Sequence, residues 1–376
     1  MKKVSNGSEL PKIAYVFGDM SGGGHNLQAF KTIIYSGAKE NCIVISLSRG
    51  QDCSLERKLN LIGINVIYSP LNKLRIFSCI KELKRIVTEQ NCTIVHSNGL
   101  KSDLISHYAF CKSNIKHVIT LHNYLKADAF LRMSRLKAMI AVYIQANLLK
   151  KCQYIIACSK TLEKQMRSDA PNLKICTIQN GVDIDRFKIL DKMSLRTEYN
   201  IDLYTIIFIS TGRMSPRKRI LETGEAFLRA NLGAEFELWF VGDGECFEKY
   251  KATFSEEKNI KFLGRQENIV ELLNIADVFV SSSETEGLPL AVLEAISTGK
   301  PVYLSDIPQH NEILEEYPSA GKMYHLGNID ELAELFKNTN EYIKEYKPIS
   351  FSETNFDIRV MGASYRNYYL KICNEE

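Results

Sequence analysis

Residues 277–306 read DVFVSSSETEGLPLAVLEAISTGKPVYLSD, and this stretch decides the fold. Asp277-Val278-Phe279-Val280 is an apolar run ending in three serines, the pattern of a buried parallel strand. Gly287 follows in a loop, and Pro289 is expected at the first helical position, where its missing N–H costs nothing. Leu290, Leu293, Ala295 and Ile296 then carry a helix that Gly299 and Pro301 stop. Val302-Tyr303-Leu304 is the next strand, so the stretch spells one strand–helix–strand unit with a right-handed crossover.

In open parallel sheets, ligands bind beyond the carboxyl ends of the strands. A helix start there offers free N–H groups and a partial positive charge, which suit phosphate. Gly287 lets the backbone come close to a ligand. Glu286 lies just before the helix, and Glu294 is five residues past Pro289, roughly 7.5 Å further along its axis. Carboxylates accept hydrogen bonds only, so they hold phosphate poorly and hydroxyls well. A ligand with hydroxyls on both sides of a diphosphate fits that layout, and a nucleotide-sugar is such a ligand. Standing alone, a Glu-x7-Glu pair is more often a surface feature beside a solvated helix.

Here it does not stand alone. ETEGLPLAVLEAISTGKPV, residues 284–302, closely resembles the Glu-x7-Glu motif of the retaining family-four glycosyltransferases, enzymes of GT-B fold. That resemblance implies two Rossmann-like, doubly wound α/β domains facing each other across a cleft. It implies that Glu286 binds sugar hydroxyls, that Glu294 binds the ribose, and that Gly287, Leu288 and Pro289 line the donor site.

The rest of the chain agrees at several points. TGRMSPRKR, residues 211–219, follows an apolar strand at 206–210 and places Arg213 and Lys218 in a strand–helix loop. Such cations are suited to a diphosphate whose charge grows as its bond to the sugar breaks. The family has an arginine and a lysine at these two places. Arg217 and Arg219 depart from it, since an acidic residue and a glycine are commoner there. Further strands are expected at 236–242 and at 260–264. In related enzymes the backbone at Gly264 and Arg265 reads the base of the nucleotide. Residues 306–312, with Glu312 near their end, resemble the family's closing loop.

The first half matches more loosely. Residues 12–17 begin a strand, and GDMSGGGH, residues 18–25, is the glycine-rich loop after it. A plain tight turn explains this loop as well as a ligand loop does. In the family it closes over the donor diphosphate, a role for Gly23, Gly24 and His25. Strands are also expected at 43–47, 66–68, 93–96, 118–122 and 154–159, with a helix over 76–90. His122 ends the fifth of these strands. Alone it is more often structural; carried over from the family, it seats the donor by a hydrogen bond to a sugar hydroxyl. Ser159 is the expected N-cap of a helix over 160–168. Asn180-Gly181 is a turn signal that resembles the family's interdomain hinge. Asp183-Ile184-Asp185 spells the metal-binding Asp-x-Asp of another glycosyltransferase class, but its place in the hinge makes it a decoy.

Length and composition set bounds. The chain has 376 residues, more than one core normally holds, with 45% hydrophobic and 24% charged residues, as in a globular protein. The expected domains are 1–185, joined by a crossing helix at 356–376, and 186–355. No secretory signal or spanning helix is read. Ten cysteines are scattered without a C-x-x-C pair or a zinc pattern, so reduced thiols and no metal are expected. The net charge is +4, but residues 101–151 carry nine Lys or Arg against Asp103 and Asp128. A solvated helix face accounts for such a run; attraction to an anionic membrane surface is the sharper reading. Residues 123–150 mix basic and apolar side chains, as would a helix lying on a membrane, one lining an acceptor site, or one buried along one side.

The expected function is therefore a metal-independent retaining glycosyltransferase, hexosyl- or N-acetylhexosaminyl-, without a cofactor. Its donor is a nucleoside-diphosphate sugar, UDP-linked. Its acceptor is a carbohydrate, most simply a lipid-linked oligosaccharide of surface polysaccharide synthesis at the cytoplasmic face of the membrane. No nucleic-acid partner is expected. Two other readings stay open: a GT-B-fold nucleotide-sugar 2-epimerase and a non-catalytic two-domain sugar-binding protein.

Overall fold

The computed structural model describes residues 10–50, 52–69, 76–351 and 354–375. The chain forms two compact units. The first takes the described residues up to Tyr124, then Arg135–Gly181, and the chain from Ile358 onward; the second takes Leu125–Ser134 and Val182–Asp357. Asn180-Gly181, the expected turn, ends the second stretch of the first unit. The reading of 1–185 as one piece did not separate Leu125–Ser134 from its surroundings.

The first unit is built on seven strands: β1 (Ile13–Phe17), β2 (Cys42–Ser46), β3 (Val66–Tyr68), β4 (Ile94–Asn98), β5 (Lys116–Leu121), β6 (Tyr154–Ala157) and β7 (Ile175–Thr177). They lie in the order β3-β2-β1-β4-β5-β6-β7 with every ladder parallel. All five residues of β1 and of β4 are buried. Helices on both faces of a parallel sheet produce continuous burial of this kind, not alternation.

The second unit repeats the scheme with β8 (Ile206–Thr211), β9 (Phe236–Val241), β10 (Ile260–Gly264), β11 (Val278–Ser281), β12 (Val302–Ser305) and β13 (Gly321–Tyr324). Their order is β10-β9-β8-β11-β12-β13. Both sheets are thus doubly wound in the Rossmann manner, and in each the strand order reverses beside the first strand. That reversal lies between β1 and β4 in one unit and between β8 and β11 in the other.

Two features hold the units together internally. The helix Ile358–Cys373 packs on the helix Gly24–Tyr35, and a Cβ at Gly362 would lie 2.2 Å from the Tyr35 carbonyl oxygen. It carries Tyr365 and Tyr369 under the first sheet, where Tyr369 Oη meets His96 Nδ1 at 2.7 Å and Tyr15 Oη at 3.1 Å. In the second unit Arg196 is 1% exposed. Its guanidinium donates to the carbonyls of Asp202, Leu203, Thr205 and Ile275 and, at 2.7 Å, to Asp277 Oδ2. Asp277 therefore precedes β11 as a buried anchor and is not part of the strand.

Residues 123–150 form two helices, Leu125–Arg132 and Arg135–Leu149. Burial along one side of the second is confined to Ala138, Leu148 and Leu149, while Leu136, Met139, Ile140 and Tyr143 are exposed. Among the described residues, no helix is long and apolar enough to cross a membrane.

Candidate active site

The loops at the carboxyl ends of β8 and β11 meet at the strand-order reversal of the second unit. After β8 the chain turns through Gly212 (φ 129°), runs past Arg213 and forms a short 3-10 turn, Pro216–Lys218. It can lie there because Gly242, at the end of β9, has no side chain: a Cβ on Gly242 would sit 2.0 Å from the Gly212 carbonyl oxygen. The turn is pinned to the loop after β11 by Glu284 N–H, which donates to the Arg217 carbonyl at 2.8 Å.

Glu286 is at the centre of this arrangement, and its side chain is only 8% exposed. Lys218 Nζ donates to Oε1 at 2.6 Å, Arg217 Nη1 to Oε2 at 2.6 Å, and Ser283 Oγ to Oε1 at 2.8 Å. Burial alone would raise this carboxyl's pKa. The Arg217 and Lys218 charges, with the hydrogen bonds from Lys218 and Ser283, outweigh burial and hold it well below the usual carboxylate range. Burial pulls the Lys218 pKa down, and Glu286 opposes that shift. Arg217 Nη1 also donates to the Thr285 carbonyl at 2.9 Å, and its Nε lies 3.7 Å from Asp128 Oδ1 on the helix Leu125–Arg132.

A second buried layer supports the loop. Ser305 Oγ donates to the Ser283 carbonyl at 2.7 Å, and His310 Nδ1 lies 2.8 Å from the Ser305 carbonyl. Burial pulls the His310 pKa down to about 4, so the ring is neutral at pH 7.

Pro289 corrects one expectation. It is the N-cap of the helix Leu290–Ser297, with φ −75° and ψ 91°, and is not its first helical residue. Its carbonyl accepts from Val292 and Leu293 N–H, which starts the helix at Leu290. Gly287, Leu288 and Pro289 are buried, and Glu294 is half-buried on the helix.

Other residues read as site residues make contacts of their own. Arg213 turns to Glu245, Nε to Oε2 at 2.9 Å, with its side chain 61% exposed. Gly264 adopts φ 65° at the end of β10, its carbonyl accepts from Gly242 N–H at 2.8 Å, and Arg265 beyond it is exposed.

The first unit carries its own constellation at the equivalent reversal. Gly23 caps the helix Gly24–Tyr35 in the loop after β1, and Asn26 Nδ2 ties that loop to the Asp19 and Ser21 carbonyls at 3.2 and 3.0 Å. His122 follows β5. Its Nε2 lies 3.1 Å from Asn98 Oδ1 at the end of β4, and its ring centroid is 6.1 Å from that of His25. Burial, then His25 and His96, pull the His122 pKa down to about 3. Among the described residues the buried His122 Nδ1, an acceptor, and Asn98 Nδ2, a donor, have no hydrogen-bond partner.

Sequence reasoning missed that Lys218 and Arg217 both pair with Glu286, and it missed Asn98, Ser283 and His310. The basic run at 217–219 was a signal for Arg217. Asn98 meets a partner 24 positions along the chain, which no local pattern records, and Ser283 and His310 meet partners three and five positions away through loop geometry that their residue types do not spell out.

A doubly wound parallel sheet with a helix start at its switch point belongs to the class of fold whose ligands sit beyond the carboxyl ends of the strands. Residues 191–342 match the family Glycosyl transferases group 1, and residues 38–186 match Glycosyltransferase Family 4. The chain is 29% identical over 276 residues to the UDP-Gal:alpha-D-GlcNAc-diphosphoundecaprenol alpha-1,3-galactosyltransferase of Escherichia coli, covering 68% of this chain and 70% of that protein. It is 25% identical over 374 residues to the capsular polysaccharide biosynthesis glycosyltransferase CapH of Staphylococcus aureus, covering 96% and 98%. The fold is shared with Anabaena HepE, solved in complex with UDP and glucose, at a TM-score of 0.82 and 19% identity over 96% of this chain and 100% of that one. The chain belongs to the family-four glycosyltransferases of GT-B fold.

Proposed function

We propose that this enzyme transfers a sugar from a UDP-sugar, with retained anomeric configuration, to a lipid-linked oligosaccharide in surface polysaccharide synthesis. Support for the donor and acceptor comes from the activities of similar proteins, one a UDP-galactose enzyme acting on a diphosphoundecaprenol-linked sugar and others of capsule and O-antigen synthesis. The observation that carries the reading is the Glu286 carboxylate gripped by Lys218 and Arg217 beside the helix Leu290–Ser297.

In this mechanism the leaving diphosphate is neutralised by Lys218, by Arg213 swung from Glu245, and by N–H groups near Gly287. Lys218 has three donors and gives one to Glu286, so others remain for phosphate. Glu286 orients sugar hydroxyls, and Glu294 holds the ribose. The bond from the anomeric carbon to the phosphate oxygen breaks as the acceptor hydroxyl bonds to that carbon on the same face. The hydroxyl proton passes to the departing phosphate oxygen. The cations and the helix start take the place of a metal ion. His122 and Asn98, with Gly23 and Gly24, offer the first unit's polar surface to a carbohydrate.

The exposed Leu136, Met139, Ile140 and Tyr143, beside Arg135 and Lys137, suit a membrane surface holding that acceptor. The test is an incubation with UDP-sugars, with and without a prenyl-diphosphate-linked saccharide, with and without added Mg2+ or Mn2+. Product only with both substrates, and with no need for the added ion, is expected. Conversion of the donor alone, or a requirement for the added ion, overturns it.

A further inference from the structure

Away from the loops at the strand-order reversals, the first unit gathers two imidazoles and a thiol that the transfer reaction does not use. His107 lies on the helix Leu100–Phe110, His117 on β5, and Cys152 in the turn between the helix Arg135–Leu149 and β6. One ligand atom from each comes within 4.8 Å of the other two. Cys152 Sγ is 3.7 Å from His107 Nδ1. The edge between a sulfur and a nitrogen on a tetrahedral zinc ion is about 3.6 Å, from bond lengths of roughly 2.3 and 2.05 Å.

The hydrogen bonds around His117 prepare it as a ligand. Ser97 Oγ donates its one proton to Asp103 Oδ1 at 2.6 Å, so toward His117 Nε2, 2.8 Å away, it can only accept. Nε2 therefore carries the proton, and Nδ1 presents a bare lone pair. That Nδ1 is buried and has no hydrogen-bond partner among the described residues, which is costly for a polar atom unless something occupies its lone pair. An imidazole whose far nitrogen is fixed through a hydroxyl to a carboxylate is the arrangement that orients metal-bound histidines.

We propose that His107, His117 and Cys152 form a binding site for a borderline-soft divalent ion, Zn2+, with water in the fourth position. Two imidazoles and a thiolate are the donor set such an ion prefers over Mg2+ or Ca2+. As the Zn–S bond forms, the Cys152 thiol proton leaves to solvent. The thiolate offsets one of the two positive charges. The ion ties a helix, a central strand and the entry to β6, and so acts as a staple of the first unit. Spacing alone does not show it: His-x9-His-x34-Cys matches no common zinc pattern, and only the fold brings the three together.

The test uses the full chain, stripped with chelator and titrated with Co2+ as an absorbing stand-in. One equivalent is expected to give tetrahedral Co2+ bands with a thiolate charge-transfer band, both bleached by Zn2+. Cys152→Ser should lose the charge-transfer band, and Cys111→Ser, which removes an exposed thiol, should keep it. Ser97→Ala should weaken Zn2+ binding about tenfold or more, the usual effect of removing a hydrogen bond behind a ligand. Zn2+ should raise the melting temperature of the unaltered chain, and Mg2+ should not. No charge-transfer band in the unaltered chain, or a band retained by Cys152→Ser, overturns the proposal. Because the unaltered chain gives a readout by itself, a variant that fails to fold does not decide the matter.

Discussion

Glu286 answers to two cations where the sequence reading gave it only sugar hydroxyls, and that changes what its replacement should do. Glu286→Gln keeps the volume and removes the charge, leaving Arg217 and Lys218 with no carboxylate between them. Breaking a buried pair from one side costs about 3 kcal/mol or more. The variant is therefore expected to lose transfer and also stability, whereas removal of a purely catalytic acid would spare stability. The pH dependence fixes the cause. A carboxyl held below its usual range binds fewer protons folded than unfolded, so it stabilises fully above its unfolded pKa of about 4.3 and progressively less as acid reaches its folded value. Urea unfolding of both forms should show a gap that is full at pH 7 and shrinks below about pH 4. A gap that widens in acid contradicts the ion-pair account. Lys218→Ala should weaken UDP binding about tenfold, ~1.4 kcal/mol, in a calorimetric titration. Unchanged affinity would remove Lys218 from the phosphate site.

At the scale of elements, the second sheet depends on one buried cation. Arg196 fastens the chain before β8 to the Ile275 carbonyl and to Asp277 just before β11, which brings together the two strands whose loops form the site. Arg196→Met would leave Asp277 and four carbonyls without that partner. A loss of about 3 kcal/mol or more is expected by chemical denaturation, with nucleotide affinity falling alongside. A near-neutral result would show that the lattice of carbonyls can rearrange.

The elements also show what sequence could and could not convey. Every strand read from an apolar run is present, because buried parallel strands leave a continuous signal. Ser159 caps its helix as expected, with Leu162 N–H donating to Oγ at 3.1 Å. Pro289 moved by one position because a proline carbonyl serves a helix start as well as its ring does. Residues 125–134 joined the second unit through Asp128 and Arg217, a pairing 89 residues apart that no local pattern records. Long-range partners such as Asn98 for His122 were invisible for the same reason.

Across the whole molecule, buried neutral histidines set the response to acid. Burial holds His96 and His122 near pKa 3 and His310 near 4, against about 6.5 when unfolded. In that window the unfolded chain binds more protons, so stability falls as pH drops below about 6.5. By pH 5 each contributes a loss of about 2 kcal/mol. Two of these histidines lie in the first unit and one in the second, so the first unit should loosen more. Hydrogen exchange at pH 7 and pH 5, corrected for intrinsic rates, should show the larger drop in protection around β4 and β5. Equal drops in both units would contradict this.

The central claim is that the loops after β8 and β11 grip the diphosphate of a nucleotide. Thermal unfolding of the full chain with UDP, GDP or ADP tests it most directly. UDP at a hundredfold excess over its dissociation constant should stabilise the chain by about 2.7 kcal/mol, seen as a raised melting temperature that Lys218→Ala diminishes. No shift with any of the three nucleotides would contradict the account.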